Sequence, residues 1–462
     1  MPFNTMIFLF VFFPIFIFIY TILPYKYKGI FLTMASILFY QYSSSNAAVK
    51  FLVFLFILYI YTYLYVKSGY NKIIFAIGIA GLVIYLVYYK YSDFLISELN
   101  NLLNLNLIIK DYKMAPLGIS FYTFSSISFL TEIKRKKMEM PNLLGFLNYM
   151  TFFPKIVSGP IARPESFIYE GMNLKRANEA ISRFIIGLSK KVILAHYLGQ
   201  AADFAWNNLA MGIDIPTAWI GALAYSLQLY FDFSGYSDMA IALGNIMGYS
   251  LPENFNFPYM SKSITEFWKR WHISLGSWFK DYIYIPLGGS RKGNVYLNLF
   301  IVFLLTGIWH GASKAFILWG IWHGFIRILE KFFWEKRWYK EMSDSIKWIF
   351  TILVVLFGWV FFRSSGIREG ILFLKRMFGF AKPDKIIYSW RYLLNYRLLF
   401  YLIIGIFFST IFEKTKIPEK WKSAEDNPSL HFAKTIILSI LMIINIMMMI
   451  SSDFAPFLYF RF

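Results

Sequence analysis

Histidine is the side chain best suited to moving a proton near neutral pH, and this chain of 462 residues has five of them. They are His196, His272, His310, His323 and His431. His310 and His323 lie in identical Gly-Ile-Trp-His-Gly pentapeptides at 307–311 and 320–324. Glycines at this spacing let another helix backbone come close. Each imidazole is therefore predicted to lie beside a helix contact, either as a general base or as a neutral histidine that hydrogen-bonds between helices.

His272 lies in an amphipathic stretch, 264–280, whose apolar residues follow a helical period. Ser263 and Glu266 form a capping box at its start. The stretch is too charged to cross a bilayer, so it is predicted to be one helix at the cytoplasmic interface or partly inserted. His272 is placed at the edge of the apolar stripe. A basic turn follows at 286–293.

Two further features of the sequence could carry chemistry. Asp232 and Asp238 lie among aromatic residues next to an apolar helix, where acids pair with cations or line a polar path; either a structural pair or a substrate contact fits. The spacings between His272, His310 and His323 match no short metal-ligand motif, and the chain has no cysteine. No metal site and no cysteinyl intermediate are therefore expected.

The elements that must position these residues are apolar helices. Hydrophobic residues make up 58% of the chain and the mean hydropathy is +0.52, which predicts an all-α, multi-pass membrane protein. The windows long enough to cross a bilayer are 5–23, 29–45, 48–66, 73–90, 115–131, 179–200, 213–231, 294–311, 314–333, 346–364, 397–413 and 433–451.

The net charge of +20 is concentrated in short loops, which is the positive-inside pattern and indicates anionic lipids rather than nucleic acid as the partner. Twelve crossings place both termini outside. Basic residues 368–385 fall on the outer side in that scheme. If one span near 213–250 is miscounted, the predicted orientation of all later spans is reversed. Residues 5–23 have no basic flank before them and no small-x-small cleavage site after them, so they are interpreted as a retained span and not a signal peptide.

The chain divides by composition into three parts. Residues 1–115 read as a transmembrane scaffold, 116–335 as a catalytic core, and 336–462 as C-terminal helices with a tail. Within the core, 152–160 is apolar but broken by proline and glycine. That segment is predicted to be re-entrant, because irregular backbone at membrane depth needs protein or a cavity around it.

Several motifs together resemble one family. They are Phe-Trp-Lys-Arg-Trp-His-Ile-Ser at 267–274, Asp-Tyr-Ile-Tyr-Ile-Pro-Leu-Gly-Gly at 281–289, Trp-His-Gly at 309–311, and the segments 116–124 and 152–163. The family is the membrane-bound O-acyltransferases, in the subgroup that acetylates alginate and peptidoglycan and, more distantly, D-alanylates teichoic acid. The resemblance implies that family's fold, with about 11–12 transmembrane helices plus re-entrant and interfacial helices. It gives His310 the catalytic role, with His272 as its orienter or an oxyanion donor.

The resemblance also implies substrates and partners. The donor would be acetyl-CoA from the cytoplasm, met by Lys269, Arg270, Trp271, Arg291 and Lys292. The chain ends Phe-Leu-Tyr-Phe-Arg-Phe, similar to the motif of a small partner peptide of teichoic-acid D-alanylation, so Tyr459 would carry the acetyl group; an aromatic membrane anchor is the other interpretation. An extracytoplasmic transferase of the SGNH type would pass acetyl to the glycan acceptor.

The enzyme is thus expected in a bacterial inner membrane. The Lys-, Ile-, Phe- and Asn-rich usage is typical of an AT-rich genome. This favours peptidoglycan over alginate as the acceptor, since peptidoglycan is nearly universal in bacteria. Alginate, another exopolysaccharide and teichoic-acid D-alanylation are the alternatives. A transporter of lipid-linked sugars would also have many spans. Against it, no inverted repeats with matched broken helices are found, and the candidate residues concentrate in one half of the chain.

Overall fold

The described part of the chain is helical throughout. The computed structural model describes residues 2–44, 47–107, 115–333, 336–415 and 427–451, together with Ile417 and Trp421. Within these ranges no β-strand is formed. The α-helices of the first half are α1 (Phe13–Ile22, continuing a π-helical turn at Phe8–Phe12), α2 (Tyr25–Ser43), α3 (Ala47–Lys67), α4 (Lys72–Lys90), α5 (Ser92–Leu103), α6 (Ile119–Lys134), α7 (Leu143–Thr151), the four-residue α8 (Phe153–Ile156), α9 (Leu174–Ser189), α10 (His196–Asn207) and α11 (Ile215–Ile246).

The second half of the chain mixes short and long helices. They are α12 (Ile264–Arg270), α13 (Ile273–Phe279), α14 (Val295–His310), α15 (Lys314–Phe333), α16 (Arg337–Glu341), α17 (Asp344–Arg363), α18 (Ile367–Met377), α19 (Trp390–Leu393), α20 (Tyr396–Ser409) and α21 (Pro428–Ser451). Every one of the predicted membrane windows contains helix, so the all-α fold class is confirmed.

Asparagine side chains fix where several apolar helices begin. The Asn71 Oδ1 atom accepts from the backbone N–H of Ile73 at 2.8 Å at the start of α4. Asn294 and Asn395 cap α14 and α20 in the same way. These bonds satisfy N–H groups that the first helical turn leaves without an intrahelical acceptor.

The protein is a multi-pass membrane protein. Within the described ranges, four helices are long and apolar enough to cross a bilayer: α3, α4, α17 and α21. Shorter apolar helices at Phe8–Ile22, Val295–His310 and Tyr396–Ser409 accompany them. In α4 only Leu82 is buried, and Ile73, Ile77 and Ile84 are exposed. Such a surface fits hydrocarbon.

Three predicted element boundaries need correction. The stretch 264–280 is two helices and not one, since α12 ends at Arg270 and α13 begins at Ile273. The window 213–231 is the first part of the 32-residue α11, which continues through both aspartates. The window 179–200 is covered by α9 and α10, joined by a π-helical segment at Lys190–Ala195.

The segment predicted to be re-entrant is short and buried. α7 has nine residues and α8 has four, too few to cross a bilayer. Every residue of α8 is buried. A Cβ atom at Gly159 would lie 2.5 Å from the Lys155 Cα atom, so this tight turn requires glycine.

The contacts divide the chain into two compact units. One comprises the described residues of Met1–Phe184 with Tyr236–Pro252, and the other Ile185–Gly235 with the described residues from Glu253 onward. The second unit holds all five histidines and helices α12 to α15. The candidate site is therefore built within one unit.

Candidate active site

His310 is the last residue of α14 and its side chain is buried. Aromatic rings pack around it: Trp319 of α15 and Phe362 of α17 each lie 5.0 Å away between ring centroids, both edge to face. An imidazole held this way is positioned by packing from two other helices. Its orientation is thus fixed before any substrate arrives.

His272 lies in the break between α12 and α13. Its backbone φ is +46°, in the left-handed region that non-glycine residues rarely adopt. The Asn254 Oδ1 atom lies 3.0 Å from the His272 Nδ1 atom and also accepts from Ser274 N–H. Because that oxygen accepts a backbone N–H, it is an oxygen and not the amide nitrogen, and the Nδ1–H of His272 must be the donor.

This hydrogen bond sets the chemistry of His272. With the proton on Nδ1, the lone pair of the neutral ring is on Nε2. Burial lowers the pKa of His272 to about 3, which keeps the ring neutral across the physiological range. A neutral ring in this tautomer accepts a hydrogen bond at Nε2. Of the two roles predicted for it, the orienting role fits this tautomer, and donation to an oxyanion from Nε2 does not.

One indole brings the two histidines together. The Trp309 ring centroid lies 4.8 Å from that of His310 and 6.3 Å from that of His272. The two imidazoles can therefore be no further apart than the sum of those distances. Residues separated by 38 positions in the sequence are neighbours in the fold.

The hairpin of α14 and α15 is packed backbone to backbone at its glycines. A Cβ atom at Gly307 would lie 2.5 Å from the Phe316 carbonyl oxygen and 3.0 Å from the Gly320 Cα atom. These are the first glycines of the two pentapeptides. The close helix approach predicted from the repeated pentapeptide is confirmed, and it places His310 against α15.

His323 is fully buried, one aromatic layer away from His310. Its ring centroid is 5.0 Å from Trp319 and 5.0 Å from Trp268. Trp319 is also the edge-to-face neighbour of His310. His323 is therefore near the pair of histidines without joining it.

Helix α12 carries the predicted donor-binding residues in two different settings. Lys269 is exposed, whereas Arg270 already pairs with Glu266 at 2.9 Å and Glu413 at 3.2 Å. Trp271 is buried and packs 4.8 Å from Trp359. Of Lys269 and Arg270, only Lys269 thus presents its charge at the surface.

The other predicted donor-binding residues lie after α13. Arg291 and Lys292 are exposed in the turn that ends at Gly293, so a basic surface is present where the sequence predicts it. Tyr459 falls outside the described residues, and its role stays a prediction.

Asp232 and Asp238 are both in ion pairs. Asp232 is buried and pairs with Lys191 of the π-helical segment. Asp238 pairs with Arg183 at 2.8 Å. These partners account for how α11 passes through two carboxylates without a break, as the structural interpretation requires.

Asn254 and Glu330 are the site residues that the sequence analysis missed. Glu330, near the end of α15, accepts from the backbone N–H groups of Ile264 at 2.7 Å and Thr265 at 2.8 Å. It thereby holds the start of α12 against α15. Both residues form hydrogen bonds with partners distant in sequence; the bond between Glu330 and Ile264 joins residues 66 positions apart. No local sequence pattern could therefore reveal them.

Comparisons with known proteins identify the family of the chain. The model of "MBOAT, membrane-bound O-acyltransferase family" matches residues 44–367. The chain is 34% identical to the probable alginate O-acetylase AlgI of Pseudomonas putida over the full length of both chains. It is 32% identical to the peptidoglycan O-acetyltransferase of Helicobacter pylori, covering 82% of this chain and 80% of that one. It is 30% identical to the teichoic acid D-alanyltransferase of Bacillus subtilis, covering 52% of this chain and 65% of that one.

Proposed function

The chain belongs to the membrane-bound O-acyltransferase family, and from that premise we propose that it moves acetyl from cytoplasmic acetyl-CoA across a bacterial inner membrane to O-acetylate an exported polysaccharide. The observation that carries the proposal is the pair of buried imidazoles that both pack against Trp309. Acyl transfer to a hydroxyl needs a neutral base held in a fixed place. The predicted orientation supports the direction of transfer, since α12 would face the cytoplasm and the His310 end of α14 the outer side.

The chemistry assigned to His310 is proton transfer. It removes the proton of the acceptor hydroxyl as the oxygen attacks the thioester carbonyl carbon. The carbon–sulfur bond then breaks, and His310 returns the proton to the leaving thiolate. We assign His272 the orienting role: neutral and bonded through Nδ1 to Asn254, it would accept the N–H of His310 at Nε2 and so leave the other ring nitrogen of His310 to take the hydroxyl proton. No metal is required for these steps.

A histidine substitution tests this role. We expect His310→Ala to lower acetyl-CoA turnover by purified protein by at least about 100-fold, the usual loss on removing a general base. His431→Ala is the matched control, because His431 is exposed on α21 and is lost without disturbing the site. Turnover by His310→Ala equal to that of the control would refute the assignment.

We assign the first acceptor hydroxyl to Tyr459. The support is its Phe-x-Tyr-x-x-Phe setting and a predicted position outside, after the last span. An aryl ester is a reactive acyl carrier, from which an extracytoplasmic SGNH-type transferase would take acetyl to the glycan.

Mass spectrometry of the C-terminal peptide tests the carrier. We expect an added acetyl group on Tyr459 after incubation with acetyl-CoA, and no such adduct in the His310→Ala variant. Tyr459→Phe should abolish glycan acetylation in cells, while Tyr396→Phe, at a tyrosine that is 94% exposed, should not. Normal glycan acetylation by a folded Tyr459→Phe protein would exclude the relay.

The acceptor polysaccharide is decided by glycan analysis. Composition favours peptidoglycan, and the full-length match to an alginate O-acetylase favours an exopolysaccharide as the second candidate. Loss of O-acetyl groups from isolated peptidoglycan in a deletion strain supports the first. Loss only from secreted polysaccharide supports the second.

A further inference from the structure

The mechanism leaves one buried histidine unused. His323 has no exposed surface, and neither of its ring nitrogens has a hydrogen-bond partner among the residues that the structure describes. Gly358 of α17 makes room for it, because a Cβ atom there would lie 2.5 Å from the His323 Nε2 atom. Buried polar atoms are nearly always satisfied, so this ring needs a partner from outside the described chain.

Two indoles next to His323 have the same property. The Nε1 atoms of Trp268 and Trp319 are buried and have no acceptor within the described ranges. The three rings are mutual neighbours, with centroid separations of 5.0, 5.0 and 5.5 Å. Their edge-to-face arrangement lets an N–H point at a ring face, which is a weak interaction compared with a carbonyl acceptor. We name Trp268, Trp319 and His323 the nitrogen cluster.

The nitrogen cluster offers a defined set of hydrogen-bonding groups. Each indole donates and cannot accept, and a neutral imidazole donates once and accepts once. The cluster therefore presents three N–H groups and one lone pair, with no fixed charge. A secondary amide has the complementary set, since its oxygen accepts two hydrogen bonds and its N–H donates one. A phosphate or a carboxylate would lack the cation that a buried anion needs.

The cluster lies between α12 and His310. Trp268 belongs to α12, whose start is held by Glu330 at the far end of α15. Trp319 is the ring 5.0 Å from both His323 and His310. A molecule whose charged end meets Lys269 of α12 and whose reactive end reaches His310 would have its middle part near these rings.

We propose that the nitrogen cluster binds an amide of the pantetheine arm of the acyl donor, which rests on the proposed function. In acyl-CoA the amide nearest the thioester sulfur is two methylene groups away, a distance comparable with the width of the Trp319 ring. The carbonyl oxygen accepts from the two indoles, and the amide N–H donates to the lone pair of His323. These bonds position the thioester beside His310 and favour donors that carry an amide over donors that lack one.

The test combines substitutions with truncated donors. S-acetyl-N-acetylcysteamine keeps the amide nearest the sulfur, and S-ethyl thioacetate lacks any amide. Trp319→Phe and Trp268→Phe each remove an N–H group and keep an aromatic ring. Trp206→Phe is the matched control, because the Trp206 indole donates to Ser364 at 3.5 Å elsewhere in the same unit.

The cluster variants should lose about tenfold in kcat/KM with acetyl-CoA and with S-acetyl-N-acetylcysteamine, the size of one good hydrogen bond. With S-ethyl thioacetate they should equal wild type, as should Trp206→Phe with every donor. His323→Asn, which keeps a donor and an acceptor, should lose less than His323→Phe with the amide donors. An equal loss with all donors, or no loss with any, would overturn the amide site while leaving the function intact. No turnover of any donor by wild type would overturn the proposed function and the amide site with it.

Discussion

At the scale of single residues, Asn254 determines what His272 can do. Its side-chain oxygen accepts from His272 Nδ1 and from Ser274, and its backbone oxygen accepts from Ile273 at 2.9 Å. A left-handed residue other than glycine costs about 1–3 kcal/mol and persists only when its surroundings enforce it. The hydrogen bonds to Asn254 do so, and the one from His272 selects the tautomer at the same time.

Replacing Asn254 with aspartate should therefore change the pH dependence of the reaction. A carboxylate beside Nδ1–H favours the imidazolium form, so it raises the pKa of His272 from its lowered value of about 3. The charged ring has no lone pair on Nε2 and cannot accept the N–H of His310. We expect the acid limb of the profile of kcat/KM against pH to move to higher pH in Asn254→Asp.

The control for this experiment is Asn395→Asp. Asn395 caps α20 through the N–H of Leu398 at 2.8 Å, a role that aspartate fills equally well, so its profile should match wild type. An Asn254→Asp enzyme with wild-type activity and an unmoved acid limb would show that His272 does not act through a lone pair on Nε2.

The sequence indicates the chemistry of the site better than its geometry. Histidine is rare here and its type suits proton transfer, so His272 and His310 could be selected by residue type and motif alone. The break at Trp271 and His272, between α12 and α13, could not be predicted from the sequence, because 264–280 fits a helical period along its whole length. The break is made by distant partners: Asn256 N–H donates to the Arg270 carbonyl at 2.9 Å, and Phe255 bridges to Trp271.

At the scale of elements, the α14–α15 hairpin carries His310 to its place. Its two glycines approach so closely that any side chain must push the helices apart. Gly307→Ala places a methyl group 2.5 Å from a backbone oxygen, where relief requires backbone movement. Overpacking of this kind costs about 1–3 kcal/mol.

We therefore expect Gly307→Ala to lower the melting temperature of the purified protein and to reduce turnover through displacement of His310. Gly81→Ala is the control, because nothing lies within 4 Å of a Cβ atom at Gly81 on α4. Alanine there gains helix propensity of up to about 1 kcal/mol, so its melting temperature should stay level or rise. A Gly307→Ala protein as stable and active as Gly81→Ala would mean that the hairpin tolerates separation.

Helix boundaries can be predicted from the sequence where the length of the apolar segment determines them. They cannot where an ion pair with another helix determines them. The window for α15, 314–333, matches the helix at both ends, because its boundaries follow composition. The predicted end of this span at residue 231 is too early, because Asp232 reads as a polar interruption and α11 continues to Ile246. The buried Lys191 neutralises that carboxylate, and a charge that is paired no longer ends an apolar helix.

At the scale of the whole molecule, orientation decides whether the proposed relay can work. The positive-inside pattern places Lys136 and Lys292 in the cytoplasm and Lys382 outside. The basic residues at 368–385 weigh against that assignment. All three lysines are exposed, and the chain has no cysteine, so single cysteines can be introduced and labelled without background.

We expect a membrane-impermeant maleimide applied to intact cells to label Lys382→Cys, and to label Lys136→Cys and Lys292→Cys only after the membrane is permeabilised. Lys136→Cys is the internal control, since it precedes the region where a miscounted span would matter. If Lys382→Cys is protected while Lys136→Cys behaves as expected, an even number of crossings separates the two positions instead of the predicted five. The tail with Tyr459 would then face the cytoplasm, where an acetyl group on it could not reach an exported glycan, and the relay would be excluded even with His310 in its catalytic role.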